Sequence, residues 1–182
     1  MVSPLVLHAP PAVGFEAPFE MLGACHERVE RTLRLLERLA RHLHARGDVG
    51  PAQSAARDIL RYFDLAAPLH HEDEEKHVFP PLIAGPDPEV AALALALQQE
   101  HQQLAQAWQA LRLDLQQVLQ ATQPWPASEA PTRSWQGFAD QYRAHLQRED
   151  QLVYPVAQAL LDAPTCALMG QEMAARRGQR PA

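Results

Sequence analysis

Clusters of glycine and proline divide this chain of 182 residues into four long segments. The clusters fall at residues 4–18, 47–51, 80–88, 124–131 and around 164. Between them the sequence is rich in Ala, Leu, Gln, Glu and Arg, which favour helices, and it has almost no β-branched runs that would indicate strands. The pattern therefore predicts an all-α fold with four principal helices.

Each segment carries apolar residues at the three-and-four spacing that is typical of an amphipathic helix. The spacing predicts long helices over about residues 18–45, 51–79, 87–121 and 131–162, and a short helix near 165–177. Pro68 interrupts the second segment and is expected to kink it. Because the connections are short, neighbouring helices should be antiparallel, which favours an up-down-up-down four-helix bundle.

The bundle is predicted to occupy residues 19–163. Residues 1–18 contain four prolines and should form an irregular N-terminal arm. Residues 164–182 should form a short helix and a tail, which we expect to be loosely ordered from Arg176 onward.

Composition narrows the class of protein. The formal net charge is -6 and no stretch concentrates basic residues beyond the tail, which argues against a nucleic-acid-binding protein. No apolar run approaches the roughly 20 residues that cross a bilayer, so we expect no membrane association. Two cysteines, Cys25 and Cys166, fit a reducing compartment, and a cytoplasmic location is expected. Nine histidines in an acidic chain call for an explanation.

A short internal repeat accounts for two of these histidines. Residues 70–80 and 145–155 share the pattern H-x3-E-E/D-x2-V-F/Y-P. Residues four apart lie on the same face of a helix, so each copy places a histidine and a glutamate together on an apolar face. A carboxylate buried in a bundle costs several kcal/mol unless it is paired or coordinated. Two such pairs of histidine and glutamate on apolar faces indicate a bound cation.

The first and third helices supply one histidine each, at the same depth of the bundle and within an apolar stripe. The predicted metal ligands are therefore His26, His70, Glu74, His101, His145 and Glu149. Six nitrogen and oxygen ligands without thiolate exceed the needs of one tetrahedral zinc ion. Two octahedral ions fit better, each with two histidines and with both glutamates bridging. Iron is the first choice, manganese the second, and zinc a possible substitute.

Together these motifs resemble the hemerythrin-like, or HHE cation-binding, family over roughly residues 19–161. The resemblance is carried by His26 in Cys25-His26-Glu27-Arg28, by the second-helix H-x3-E-E-x3-F-P, by Glu100-His101 and by the fourth-helix H-x3-E. It implies a four-helix bundle that holds a non-haem di-iron centre. Members of that family bind oxygen, sense oxygen or iron, or handle peroxide, nitric oxide and iron.

Two positions depart from the oxygen carriers of that family. The carriers have a second third-helix histidine four residues after the first, and here that position is Ala105. Their fourth-helix carboxylate follows the histidine by five residues, so Asp150 competes with Glu149 as a ligand. We favour Glu149, because its spacing matches that of Glu74 in the repeat. The missing histidine argues against reversible oxygen carriage.

The remaining candidates have simpler interpretations. His71 is either an alternative ligand or a supporting group, and Glu30 is expected to pair with Arg34 rather than to bind metal. Tyr142 is expected to pack in the core or to place its hydroxyl beside the site. Cys25 is expected to be a small buried hydrophobe. Four histidines are expected to play no part in the site: His8, His42, His44 and His77.

The function predicted from the sequence is that of a di-iron protein that binds or senses oxygen, nitric oxide, peroxide or iron. One alternative is a regulatory or interaction module whose fold depends on metal. Another is an iron-handling or peroxide-removing di-iron enzyme, for which residues 74–77 supply one Glu-x-x-His motif. No nucleophile with its base, phosphate loop or nucleotide motif is present, so any catalysis would belong to the metals. The expected partner is a small diatomic ligand or peroxide, and no protein partner is indicated.

Overall fold

The computed structural model describes residues 14–45, 48–123, 125 and 132–179. Most of these residues are helical and no strand is found among them, which confirms the predicted all-α class. Gly47, His8 and most of the predicted N-terminal arm lie outside the described residues, as does most of the segment that links the third and fourth helices.

Within the described ranges, the long helical segments are built from seven α-helices and three single π-helical turns, and an eighth α-helix follows them. The first segment is α1 (Pro18–Ala45), and the third is α5 (Pro88–Gln120). The second comprises α2 (Val49–Arg61), π1 (Tyr62–Ala66), α3 (Ala67–Asp73), π2 (Glu74–Val78) and α4 (Phe79–Ile83). The fourth comprises α6 (Thr132–Arg148), π3 (Glu149–Val153) and α7 (Tyr154–Leu160), and α8 (Ala163–Arg176) follows it.

Prolines explain where the π turns occur. Pro68, Pro80 and Pro155 each lie two residues after the end of a π turn. A proline inside a helix lacks the amide hydrogen and crowds the carbonyl four residues earlier. Widening the preceding turn moves that carbonyl away from the ring, and the helical path continues. The interruption expected at Pro68 therefore takes the form of a π turn just before the proline.

Side-chain caps fix the start of two helices. The Asp87 carboxylate accepts hydrogen bonds from the amides of Glu89, at 2.9 Å, and Val90, at 3.3 Å, at the start of α5. The Asp162 carboxylate accepts one from the Thr165 amide at 2.9 Å at the start of α8. Such caps satisfy amides that have no partner within the helix.

Two apolar clusters form the core. The large cluster joins α1, α2, π1, α5 and α6 through residues such as Leu33, Ile59, Phe63, Trp108, Leu115, Trp135 and Phe138. The small cluster joins α1, π2, α4, α5, π3, α7 and α8 through residues such as Leu22, Val78, Phe79, Leu97, Val153, Met169 and Met173. Each long segment passes from one cluster into the other, and the order alternates along the chain.

The C-terminal helix is anchored to the second segment by a buried carboxylate. Asp73 is 0% exposed, and its two oxygens accept hydrogen bonds at 2.6 Å from Arg176 and Arg177. These arginines were expected to lie in a loosely ordered tail, and that expectation is wrong for both. A buried carboxylate needs cationic partners, and α8 brings them to Asp73.

Close packing also fixes α8 against the start of the chain. A Cβ atom at Gly170 would lie 1.9 Å from the carbonyl oxygen of Phe15, so only glycine permits this approach. The guanidinium of Arg177 lies 5.4 Å from the centre of the Phe15 ring.

In the part of the chain that the structure describes, no single helix is long and apolar enough to cross a membrane. The pair Arg133–Leu160 and Ala163–Arg176 meets the length and composition requirement only when joined, and it is bent by 119°.

Candidate metal centre

The six predicted ligands form one buried polar layer between the large and small clusters. Their exposed fractions are 5% for His26, 3% for His101 and 0% for the other four residues, which are His70, Glu74, His145 and Glu149. The layer crosses each long segment where the chain leaves one apolar cluster and enters the other. The structure thus brings together all six residues that the sequence places at a common depth.

Two π turns position the two glutamates. Glu74 begins π2 and Glu149 begins π3. The amide of Phe79 bonds to the carbonyl of Glu74, and the amide of Tyr154 bonds to the carbonyl of Glu149. These bonds span five residues, so each glutamate stands at a widened turn. Single π turns of this kind occur frequently at functional sites.

One half of the layer, which we call the His26 side, contains two imidazoles and one oxygen of each glutamate. The Nε2 atoms of His26 and His70 lie 3.0 Å apart. Glu149 Oε2 lies 3.4 Å from His26 Nε2, and Glu74 Oε1 lies 3.6 Å from His70 Nε2. These four side chains present ligand atoms that can converge on one ion.

The other half, the His101 side, uses the second oxygen of each glutamate. Glu74 Oε2 and Glu149 Oε1 each lie 3.5 Å from His101 Nε2. His145 Nε2 lies 2.9 Å from Glu149 Oε1. Each carboxylate therefore turns one oxygen to the His26 side and one to the His101 side, which is the arrangement expected of bridging ligands.

The layer contains buried polar atoms that nothing in the described residues satisfies. No hydrogen-bond partner of suitable geometry is found for Glu74 Oε2, His101 Nε2, His145 Nε2 or either carboxylate oxygen of Glu149. Leaving such atoms unpaired costs roughly 1–3 kcal/mol each. Ligand atoms held about 2.1 Å from an octahedral ion lie about 3 Å from their neighbours, close to the distances within each side. The residues therefore fit metal ions.

Acidic residues outside the layer hold the outer nitrogens of the histidines. His26 Nδ1 donates to Asp150 Oδ1 at 2.8 Å, and His101 Nδ1 donates to Glu75 Oε1 at 2.9 Å. Both acids occupy the E/D position of the repeat. His145 Nδ1 donates to Glu100 Oε2 at 3.1 Å. When such a ring is neutral and its proton is on Nδ1, it turns a bare Nε2 toward the layer, as metal binding requires.

These contacts distinguish Glu149 from Asp150, the two carboxylates of the fourth helical segment that compete as metal ligands. The Glu149 side chain is 0% exposed and lies inside the layer, whereas the Asp150 side chain is 49% exposed. Asp150 bonds to the far nitrogen of His26 rather than facing the ligand atoms. The geometry thus places Glu149 toward the layer and Asp150 behind a histidine.

His71, for which the sequence left two interpretations open, lies on the His101 side. Its ring stacks on that of His101, with centroids 3.8 Å apart and planes at 5°. Its Nε2 atom lies 2.9 Å from the hydroxyl of Tyr142. His71, His101 and His145 bring nitrogen atoms close enough together to hold an ion.

Tyr154 is the residue of the layer that sequence reasoning missed. Its hydroxyl donates a hydrogen bond to Glu74 Oε1 and lies 2.9 Å from His26 Nε2. Its ring stacks on His26 with centroids 5.1 Å apart. One signal was available, because Tyr154 occupies the F/Y position of the repeat where the first copy has Phe79.

Burial and the neighbouring groups shift the pKa values of Glu74 and Glu149 in opposite directions. Burial and the facing Glu149 raise the pKa of Glu74 well above its usual range. Burial acts the same way on Glu149, but the neighbouring imidazoles of His101, His145 and His26 outweigh it and hold the pKa of Glu149 well below its usual range. Burial would lower the pKa of His26, yet Asp150 and Glu149 raise it to about 9.

The other candidates lie away from the layer. Glu30 pairs with Arg34 at 3.2 Å, as expected, and also with Arg143 at 2.9 Å. His77 Nε2 lies 3.4 Å from Glu172, on the side of α8, which leaves the Glu-x-x-His motif without its histidine at the site. Cys25 is buried in the small cluster. His42 lies 2.9 Å from the Asp48 carbonyl, His44 is exposed, and Ala105 is exposed on α5.

Comparison with known proteins shows the family of the chain. The sequence profile of the hemerythrin HHE cation-binding domain matches residues 17–157. The chain belongs to the hemerythrin HHE cation-binding family. An uncharacterized protein of Haemophilus influenzae is 32% identical over 160 residues, which cover 88% of this chain and 90% of that protein. With the buried histidine and glutamate cluster, membership of the family identifies a metal-binding protein.

Proposed function

We propose that this protein is a non-haem di-iron protein of the bundle type that binds or senses a small ligand, namely oxygen, nitric oxide or peroxide, or iron itself. One observation carries the proposal. Glu74 and Glu149 each turn one oxygen to the His26 side and one to the His101 side. Two bridging carboxylates between two pairs of imidazoles suit two ions.

The donor set favours iron. Nitrogen and oxygen ligands without thiolate suit iron and manganese, and the number of ligands exceeds the four of a structural zinc site. We propose His26, His70, Glu74 and Glu149 as ligands on one side, and His101 and His145 with the same glutamates on the other. When bound, iron would supply redox chemistry and coordination positions for the small ligand.

The residues around the layer would do three things for such a centre. Asp150, Glu75 and Glu100 fix the orientation of His26, His101 and His145 through their Nδ1 atoms. The Tyr154 hydroxyl holds Glu74 by a hydrogen bond. The two apolar clusters cover the layer above and below, so bulk water is kept away from it.

Sensing or redox reaction is favoured over reversible oxygen carriage. Ala105 stands where the carriers have a histidine, and it lies exposed on α5 rather than in the layer. His71 places a third imidazole beside His101 and His145 from a different helix. We propose a small diatomic ligand or peroxide as the partner and a cytoplasmic location.

Metal analysis and spectroscopy test the proposal directly. The purified protein should contain about two iron ions per chain and absorb in the near ultraviolet by charge transfer, and azide should perturb that band. A protein that stays colourless after iron loading and exposure to air would contradict the proposal. Binding of a single ion would contradict the bridging role of the two glutamates.

A metal-dependent regulatory module is the second candidate, because Asp73 joins the layer to α8. Asp73 directly precedes Glu74 and binds Arg176, the last residue of α8, and Arg177, which follows it. Without metal, Glu74 and Glu149 face each other in a buried layer, so the fold should loosen.

A chelator distinguishes this candidate. Its addition should lower the melting temperature by roughly 5–10 °C, as expected for loss of a ligand present at about 100 times its Kd. Glu149→Ala protein should not respond to the chelator, since it would already lack metal. An unchanged transition in the unmodified protein would exclude regulation through the fold.

A further inference from the structure

A groove of about 680 Å³, whose lining includes Asp58, lies on the described surface between α1 on one side and the end of α2 with the π1 turn on the other, apart from the metal layer. Its volume is within the roughly 300–1,000 Å³ that small-molecule sites occupy. Five arginines line it: Arg28, Arg31, Arg34, Arg38 and Arg61. No stretch of sequence outside the tail concentrates basic residues, but helical spacing brings together arginines that are separated along the chain.

The charge in the groove is only partly neutralised. Arg31 and Arg34 lie 3.9 and 3.2 Å from the carboxylates of Glu27 and Glu30, and Arg61 lies 3.9 Å from Asp58. Among the described residues, no carboxylate lies within ion-pair distance of Arg28 or Arg38. A chain with a net charge of -6 thus presents a positive groove with two unpaired guanidinium groups.

The same groove has an apolar lining. Tyr62, Leu65 and Ala66 come from the π1 turn, and Leu35 comes from α1. Leu65 is 63% exposed, the highest value among the large hydrophobic side chains of the described chain. A solvated row of arginines would account for the charge, but it would not place an exposed leucine and a tyrosine ring among the guanidinium groups.

We propose that this groove binds an amphiphilic anion, a carboxylate or phosphate monoester that carries an apolar chain. Guanidinium groups bind both kinds of head group through paired hydrogen bonds. Leu35, Leu65 and the ring of Tyr62 would cover the apolar chain of the ligand. The ligand is a free molecule that enters the groove, and its binding does not depend on the identity of the metal.

Calorimetric titration with dodecyl phosphate and with laurate, below their micelle concentrations, tests the proposal on the full-length, metal-loaded protein. Each should bind saturably at one site, whereas inorganic phosphate should bind at least tenfold more weakly. The double variant Arg28→Gln/Arg38→Gln should weaken binding by roughly tenfold or more. Leu65→Ser should weaken binding of the dodecyl compounds and leave the metal content unchanged.

Arg57→Gln is the matched control, because Arg57 is exposed on α2 outside the groove and its loss should leave binding unchanged. Equal loss in Arg57→Gln and in the double variant would overturn the proposal, as would equal affinity for inorganic phosphate and dodecyl phosphate. The last measurement is the binding of the protein to vesicles of phosphatidylcholine and phosphatidylglycerol. Binding to these vesicles without binding of the monomeric amphiphiles would assign the groove to a membrane surface and overturn the proposal of a free ligand.

Discussion

Residues 70–80 and 145–155 share one sequence pattern but supply different surroundings to the two sides of the metal layer. The shared positions act alike: His70 and His145 face the layer, and Glu74 and Glu149 divide their oxygens between its sides. The unmatched positions differ, since Tyr154 has a hydroxyl where Phe79 has none, and His71 corresponds to Leu146. The repeat thus provides a symmetric frame, and single substitutions within it make the two sides chemically distinct.

The largest effect should come from the shared carboxylates. Glu74→Ala and Glu149→Ala should each reduce metal affinity by more than about 100-fold, beyond the range for residues that only support ligands. Each would remove a proposed ligand from both sides at once, so the two variants should be equally damaging. Metal content after purification measures this. His42→Ala is the control, and a loss in it as great as in the glutamate variants would refute the assignment.

The supporting acids test whether the symmetry extends outward from the layer. Asp150→Asn and Glu75→Gln should each weaken metal binding by roughly 10- to 100-fold, because each acid orients one histidine through Nδ1. Competition with a chromophoric chelator would measure the affinity. Glu27→Gln, at an exposed position of α1, should have no effect. If only one acid matters, the outer parts of the two sides are not equivalent.

A pH experiment examines the contribution of His26. With its pKa raised to about 9, His26 is protonated at neutral pH in the metal-free protein. That charge stabilises the metal-free fold below about pH 6.5, and the contribution is lost as the pH rises through about 9. Metal requires the neutral ring of His26 and the ionised carboxylate of Glu74, so binding at pH 7.5 should release about one proton from His26 in addition to any released from Glu74.

A pH indicator in weak buffer would count the released protons. Asp150→Asn should lower the pKa of His26 and reduce the proton release at the same pH. A release that is identical in the two proteins would show that Asp150 does not hold the proton on His26.

The smallest effect should follow from removing the asymmetry itself. Tyr154→Phe makes the second copy of the repeat match the first and removes one hydrogen bond to Glu74. Metal affinity should change by less than about tenfold, since a hydrogen bond to a charged group contributes about 1.5–3 kcal/mol and part of it is replaced by the ion. The azide-perturbed absorption band should shift. Tyr142→Phe removes the hydroxyl beside His71 instead, so it should shift the absorption band differently. An unchanged band in Tyr154→Phe would show that the Tyr154 hydroxyl does not influence the metal centre.

Much of the fold and of the layer could be predicted from the sequence, because both depend on short spacings. Apolar periodicity located the long helices to within a few residues, and the polar interruptions of that periodicity located His26 and His101. The four-residue spacing in the repeat placed Glu74 and Glu149 on the same face as their histidines. Such relations lie within a single helix and need no knowledge of how helices rotate against each other.

What could not be predicted depends on contacts between segments distant in the chain. Tyr154 reaches His26 across 128 residues, and Arg176 reaches Asp73 across 103. Whether the ring of His71 faces that of His101 depends on how α3 is rotated against α5. The π turns have a visible cause in the prolines, but the same prolines permit a kink or a helix end. Only packing decides between these outcomes.

The three π turns have a consequence for how this chain could change by insertion or deletion. A π turn contains one residue more than the α-helical turn it replaces, so removing a single residue from π2 would restore a regular helix. Residues after the deletion would stay on the same faces of the helix, because the Phe79 amide would bond to the same Glu74 carbonyl across an ordinary α-helical turn. Val78 and Phe79 would therefore remain in the small cluster. The ring of Pro80, however, would again crowd the carbonyl four residues earlier. The extra residue of π2 thus makes room for the proline, and a chain that lacks this residue should carry a residue other than proline at that position.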